Sequence, residues 1–296
     1  MNDDLRSKVI PGVVALEEGP GGLDVLVVTG AVADARIFLH GAQLSHWQPR
    51  GAEPVIFMSG KSVFEVGKAI RGGVPVCFPW FGPREGLPAH GFVRNVVWEL
   101  EGVEQGSDGS VRVALATQSS GKTREKWPHD FVARLIYTVG AKLVMEFEVE
   151  NTTGAAFTFS EALHTYFAVG DARRATVEGL DAAEYRDFPD RTKLLRQQGP
   201  VVFTEETDCV YVNTRAACVL TDPVMRRRIV VEKEGSDTTI VWNPWIAKSA
   251  AMADFGDDEW PAMVCIETGN AFENSVTLAA GARHKMIARI SIGKSG

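Results

Sequence analysis

The chain has little of what marks most enzyme and binding classes. Its 296 residues include only four cysteines, Cys77, Cys209, Cys218 and Cys265, and none lies in a CxxC or CxxxC pair. That spacing argues against a zinc site, and no other metal-ligand cluster is expected. Cys77 and Cys265 sit in apolar strings (VPVCF, MVCI) and read as small core residues. Apolar runs are short and broken by Gly, Pro or charge, so no membrane span is expected. The first ten residues, MNDDLRSKVI, are acidic and have no apolar signal core, so the expected compartment is the reducing cytoplasm, with free thiols. Positive charge is also in deficit: 31 Lys+Arg against 38 Asp+Glu, a net charge of −7. That balance argues against nucleic acid as a partner, although a local arginine cluster could still hold a small anion. No GxGxxG follows a strand, and GxxxxGK[ST], HExxH and GxSxG are missing, which removes the common signatures of nucleotide, zinc-peptidase and serine-hydrolase chemistry.

Helical periodicity is scarce as well, and β patterns dominate. Residues 23–28, 35–40, 111–117 and 132–139 read as strands, and residues 142–150 (KLVMEFEVE) alternate apolar with charged. Gly140-Ala141 suits a tight hairpin turn between the last two. Further strands are expected at 156–160, 210–213, 217–221, 229–233, 238–242, 263–268, 275–278 and 285–292. Single helical turns are expected at 62–67 and 248–253, and residues 187–198 read as a charged surface loop. Many short strands, few helices and no Pro- or Ser-rich linker predict one all-β domain over 1–296, a large antiparallel sandwich or barrel.

Three segments place polar residues in apolar or Gly/Pro-rich surroundings. Residues 70–100 (IRGGVPVCFPWFGPREGLPAHGFVRNVVWEL) are too rich in Pro and aromatics for regular structure and suit a rigid pocket-lining loop. Arg71 opens it, and His90 and Arg94 close it; the arginines could grip an anion or simply pair with surface acids. His164 in FTFSEALHTYFAVGD could move a proton near neutral pH or be a hydrogen-bonded core histidine. Glu267 in MVCIETGNA could be a general base at a pocket mouth or a strand-terminal acid facing water. Asp208, in EETDCVY, could contact a ligand or form a turn.

Taken together, IRGGVPVCFPWFG, AHGFVR, EALHTYFAVGD, TDCVY and KSAAMADFGDDEWPAMVCIETGN resemble, in order, the motifs of the hexose-6-phosphate mutarotases within the aldose 1-epimerase group. The resemblance implies a galactose-mutarotase-type β-sandwich that interconverts the anomers of a small-molecule hexose 6-phosphate without metal or cofactor. It puts the catalytic pair at His164 and Glu267 and the substrate contacts at Arg71, His90, Arg94 and Asp208. An ionised Glu267 would take the anomeric hydroxyl proton, and a protonated His164 would supply the ring oxygen. Two positions depart from the pattern: Ala89 where some relatives carry Gln, and Cys209 where an Arg is usual. The rival readings are a 1-epimerase for unphosphorylated sugars, which leaves the two arginines without a task, and a non-catalytic sugar-phosphate binding module, which needs neither His164 nor Glu267.

Overall fold

The computed structural model describes residue 5 and residues 7–294, so part of the N-terminal stretch that informed the compartment reading lies outside it. The architecture is an antiparallel β-sandwich. A nine-stranded sheet runs from Val201–Val202 at one edge to Glu99–Gln105 at the other, with Arg283–Lys294 and Leu143–Asn151 near its middle. An eight-stranded sheet runs from Leu195–Arg196 to Val76–Cys77, and Tyr166–Ala168 branches from its strand Met263–Asn270. A four-stranded sheet takes Val14–Glu18 through Gln43–Pro49 in chain order, and Phe157–Phe159 pairs with Val276–Leu278.

The core follows from strand alternation. In Leu143–Asn151, Leu143, Met145, Phe147 and Val149 are buried while the intervening Glu146, Glu148 and Glu150 are half-buried. The neighbouring strand Phe131–Val139 turns Phe131, Ala133, Leu135 and Tyr137 the same way. These residues pack with Val241, Val264 and Ile266 of the eight-stranded sheet in one hydrophobic cluster. Each such large side chain contributes roughly 1.5–3 kcal/mol relative to exposure.

Met263–Asn270 is buried along its whole length, because both of its faces are covered. Val264 and Ile266 enter the main core. Met263 and Cys265 face the other way, joining a second cluster with Phe57, Tyr166, Trp242, Phe255 and Trp260. Period-two alternation therefore turns Glu267 away from the main core. Register adds the rest: Asp208, Trp242, Cys265 and Tyr166 lie directly opposite one another across four strands, and Glu267 sits opposite Ile240 in the next row.

The expected strands overlie observed ones, with ends displaced by a few residues. Those not anticipated include Val14–Glu18, Gln43–Pro49, Glu99–Gln105 and the three-residue strands Glu161–Leu163 and Tyr166–Ala168. Residues 62–67 are not helical; they form a loop held by the Ser62 hydroxyl, which donates to the Arg71 carbonyl at 2.5 Å. The helix expected at 248–253 spans Trp245–Ala251, beginning where Asn243 Oδ1 accepts from the Trp245 N–H. The hairpin link has three residues, since Val139 pairs with Leu143. No helix among the described residues is long and apolar enough to cross a membrane.

Candidate active site

The segment 70–100 is held rigidly by close backbone packing. Gly72 has φ +99°, and a Cβ there would lie 2.7 Å from the Met58 Cα. A Cβ on Gly91, beside His90, would collide with the Phe78 carbonyl. Only glycine fits either place. These constraints bring Arg71 and His90 to the same side of the eight-stranded sheet as Asp208 and Glu267. His164 lies between Glu161–Leu163 and Tyr166–Ala168, anchored by its N–H to the Pro75 carbonyl at 3.0 Å.

Arg71, His90, His164, Asp208 and Glu267 line one cavity of about 560 Å³. That is within the usual range for a small-molecule site. Its walls include Phe81, Trp242, Phe188 and Phe272. At its base, His164 Nε2 and Glu267 Oε1 are 3.4 Å apart, and the side chains are 9% and 1% exposed. This exceeds the 2.7–2.9 Å of a well-formed charge-assisted hydrogen bond. Glu267 Oε2 and His164 Nδ1 are buried without a hydrogen-bond partner. The under-bonded Glu267 carboxyl and the His164 Nε2 beside it are where a ligand's polar groups would complete the bonding.

Burial pushes the Glu267 carboxyl well above the usual range, with the charge of Asp208 adding to it and Arg191 and Arg94 opposing. Burial likewise holds the His164 imidazole well below its usual value, helped by His90, Arg94 and Arg71. These surroundings therefore favour a protonated Glu267 beside a neutral His164, the reverse of the proton placement expected from the motifs. The two placements are tautomers of a pair holding one proton. His90 is also held neutral, chiefly by burial and then by Arg94, Arg71 and Arg191. Its Nδ1 accepts from the Gly82 N–H at 3.3 Å, leaving the ring proton on Nε2.

The cations are distributed differently from expectation. Arg71 lines the cavity, paired with Asp254 at 3.0 Å, and its Nη1 donates to the Tyr166 hydroxyl at 3.1 Å. Arg94 is not among the lining residues; its Nη2 donates to the Ala89 carbonyl at 2.7 Å and its buried Nε is unpartnered. Two cations passed over in the sequence take places on the lining instead. Arg191 pairs with Asp208 at 2.5 Å, and Lys248 pairs with Glu206 at 2.8 Å and lies 4.6 Å from the Phe188 ring centroid. Residues 187–198 are thus more than a solvated loop: they fold back so that Phe188, Pro189 and Arg191 cover one side of the cavity. The apolar Phe188-Pro189 step inside a polar run was the available signal. Cys209 faces the main core, on the opposite side of its strand from Asp208, so its departure from the motif leaves the cavity lining unchanged. Burial, then the charge of Asp187, pushes its thiol up to about 12.

A family model described as aldose 1-epimerase matches residues 24–291. The chain is 38% identical over 253 residues to an Escherichia coli (strain K12) protein named "Putative glucose-6-phosphate 1-epimerase", covering 85% of this chain and 84% of the relative. It is 36% identical over 276 residues to a protein of the same name from Cenchrus ciliaris, covering 90% and 84%. Among solved structures it matches one described as a "putative mutarotase (YeaD)" from Salmonella typhimurium, with TM-score 0.89, 33% identity and 99% of each chain covered. It also shares the fold of a galactose 1-epimerase from Lactobacillus acidophilus, with TM-score 0.73, 14% identity and 96% and 98% of the two chains covered.

Proposed function

The chain belongs to the aldose 1-epimerase family, and from that premise we propose that it interconverts the α and β anomers of a hexose 6-phosphate, glucose 6-phosphate first among them. The observation that carries the phosphate is the lining itself: Arg71, Arg191 and Lys248 share one cavity with His164 and Glu267 in a chain of net charge −7. Each has a carboxylate partner, Asp254, Asp208 or Glu206, but an unphosphorylated sugar supplies no anion that would use three cations gathered on one lining.

His164 and Glu267 are the proton-transfer pair, and His90, Asp208 and Arg94 are assigned to the sugar hydroxyls or to the support of the groups that hold them. Ring opening removes the proton of the anomeric hydroxyl and protonates the ring oxygen. With the cyclic sugar bound, Glu267 as carboxylate takes the first proton and His164 as imidazolium gives the second. The pair is then protonated Glu267 and neutral His164, the tautomer that burial favours. It therefore accompanies the open-chain aldehyde. Rotation about C1–C2 presents the other face, and closure returns both protons. Raising the Glu267 pKa and lowering the His164 pKa both offset the ordinary preference for the ion pair, so the protonated-Glu267, neutral-His164 tautomer is accessible to a cycle that passes through each of the two twice. No step calls for a metal or a redox cofactor. We place the activity in the cytoplasm, in keeping with four free, buried thiols.

The test is anomer exchange on freshly dissolved α-glucose 6-phosphate, followed by polarimetry or exchange NMR with and without protein. Acceleration that is much weaker on glucose is expected. No acceleration on either sugar, or equal acceleration on both, would reject the assignment.

A further inference from the structure

A catalytic histidine is ordinarily oriented by a hydrogen bond to the ring nitrogen that does not react. No other residue gives His164 such a bond: its Nδ1 is buried, and only its own backbone acts on it, without good hydrogen-bond geometry. Its surroundings are aromatic. The Tyr166 ring stacks on the imidazole with centroids 4.7 Å apart and planes at 12°. Trp242 and His90 meet it edge-on at 5.9 and 5.7 Å. Tyr166 in turn is 1% exposed, packed edge-on against Trp242 and stacked on Phe57, and its hydroxyl receives the Arg71 hydrogen bond. It does not line the cavity, so it does not touch a ligand there.

We infer that Tyr166 is the positioning residue for His164, its ring face taking the place of the missing hydrogen bond. The proposal rests on the reading of His164 as a proton-transfer group. The imidazole can rotate about its Cβ–Cγ bond unless something holds its plane, and a flat partner stacked at 12° opposes that rotation while leaving both nitrogens free of competing bonds. No carboxylate bonds Nδ1, and burial outweighs the upward pull of the residue's own backbone, in line with a ring kept neutral. The Tyr166 ring is itself held by packing against Phe57 and Trp242, and its hydroxyl bonds Arg71, so the support of His164 and a proposed phosphate contact meet on one side chain.

Two variants separate the ring from its hydroxyl. Tyr166→Phe keeps the stacked face and loses the Arg71 bond; Tyr166→Leu keeps an apolar side chain of smaller volume and loses the face. On glucose 6-phosphate, Tyr166→Phe is expected to hold kcat within about threefold of wild type. Tyr166→Leu is expected to lower kcat by at least about tenfold with KM within about threefold. If Tyr166→Leu does not fold, Tyr166→Met takes its place. The imidazole ¹⁵N spectrum of His164 should show one ordered ring in wild type and Tyr166→Phe, and broadened or doubled signals in Tyr166→Leu. Wild-type kcat in folded Tyr166→Leu, an equal loss in Tyr166→Phe, or an unchanged His164 spectrum in Tyr166→Leu would overturn the positioning role. Absence of exchange activity in wild type would overturn the enzymatic reading alone, since the His164 spectra still decide whether Tyr166 holds the ring.

Discussion

Two His–Glu pairs are built on one strand pairing, one of them completed by the half-buried His284 of the nine-stranded sheet, and they behave oppositely. Glu161 and His164 belong to the Glu161–Leu163 strand and the turn after it; Glu267 and Asn270 belong to the facing strand, with Glu161 opposite Asn270. Glu161 is fully buried, its Oε1 accepting from His284 Nε2 at 2.7 Å and from Asn270 Nδ2 at 2.8 Å. Burial lowers the His284 pKa, but the hydrogen bond and the charge of Glu161 outweigh it and the value is raised. His164 meets Glu267 only at 3.4 Å, and burial, then His90, Arg94 and Arg71, lower its pKa. The same two residue types thus give a charged structural clamp at one end and a neutral, under-bonded pair at the other. Oε2 of each carboxylate is buried without a partner; what differs is that Glu161 Oε1 receives two close donors while Glu267 Oε1 meets only His164 at 3.4 Å, and that a cavity opens onto the second pair. A carboxylate held by close donors favours the fold, and one without them stays available for a ligand.

The sharpest way to break this comparison is to remove each carboxylate in turn. Glu161→Ala leaves the half-buried His284 without its acceptor and Asn270 with the Gly235 carbonyl in place of two acceptors, and should cost about 1.5–3 kcal/mol of stability, read from urea denaturation. A loss below about 1 kcal/mol would mean that the clamp does not hold the two strands. Glu267→Gln should instead lower kcat by roughly 10²-fold or more, the size of one positioned proton transfer, with the protein folded. His164→Asn should match it, and the double variant should lose little beyond the worse single one, because the pair acts as a unit. Near-normal exchange by NMR in folded Glu267→Gln would remove the catalytic assignment.

The two ends were not equally legible in the sequence. Alternation in residues 142–150 and its neighbours identifies core strands, because period two is visible over nine residues. A three-residue strand has no period to read, so Glu161–Leu163 and Tyr166–Ala168, which carry the site, were missed. His164 and Glu267 were indistinguishable from core or surface residues one at a time and became visible only through several multi-residue motifs in order. Arg191 and Lys248 could not be found by charge alone. Arg191 reaches the cavity because residues 187–198 fold back, and Lys248 because its helix starts at Trp245. The Glu161–His284 clamp was wholly hidden, since it joins residues 123 apart whose local sequences carry no signal.

A smaller effect separates the cavity pair from the cations beside it. Lys248→Met removes a rim charge while keeping most of the side chain's apolar stem. KM for glucose 6-phosphate should rise about tenfold, at the low end of a charge-assisted contact, with KM for glucose within about twofold and kcat little changed. Arg94→Met, altering a residue that does not line the cavity, should not show that selectivity. Equal rises for both sugars in Lys248→Met would show that the lysine holds the helix, through Glu206, and not the substrate.

The smallest expected effect is a difference in pH dependence, and its sign follows from proton counting. The folded Glu267 pKa is raised, so above the unfolded value of about 4.3 the native state holds a proton that the unfolded chain has released, and the group's contribution to stability falls as pH rises toward its folded pKa. The folded His284 pKa is raised as well. Its contribution is fully present below the unfolded value of about 6.5 and is lost as pH rises through the folded one. Both contributions therefore decline with rising pH, but in windows that begin about two units apart. Each unit in which native and unfolded states differ by one proton changes stability by about 1.4 kcal/mol. Subtracting the stability–pH curve of Glu267→Gln from that of wild type should give a slope that begins near pH 4.3, with the variant the more stable protein above it. The same subtraction for His284→Gln should stay flat until about pH 6.5 and then decline. A His284→Gln difference that instead declines with falling pH below about 6.5 would mean that His284 is neutral in the fold, and the contrast between the two pairs would collapse into two neutral pairs.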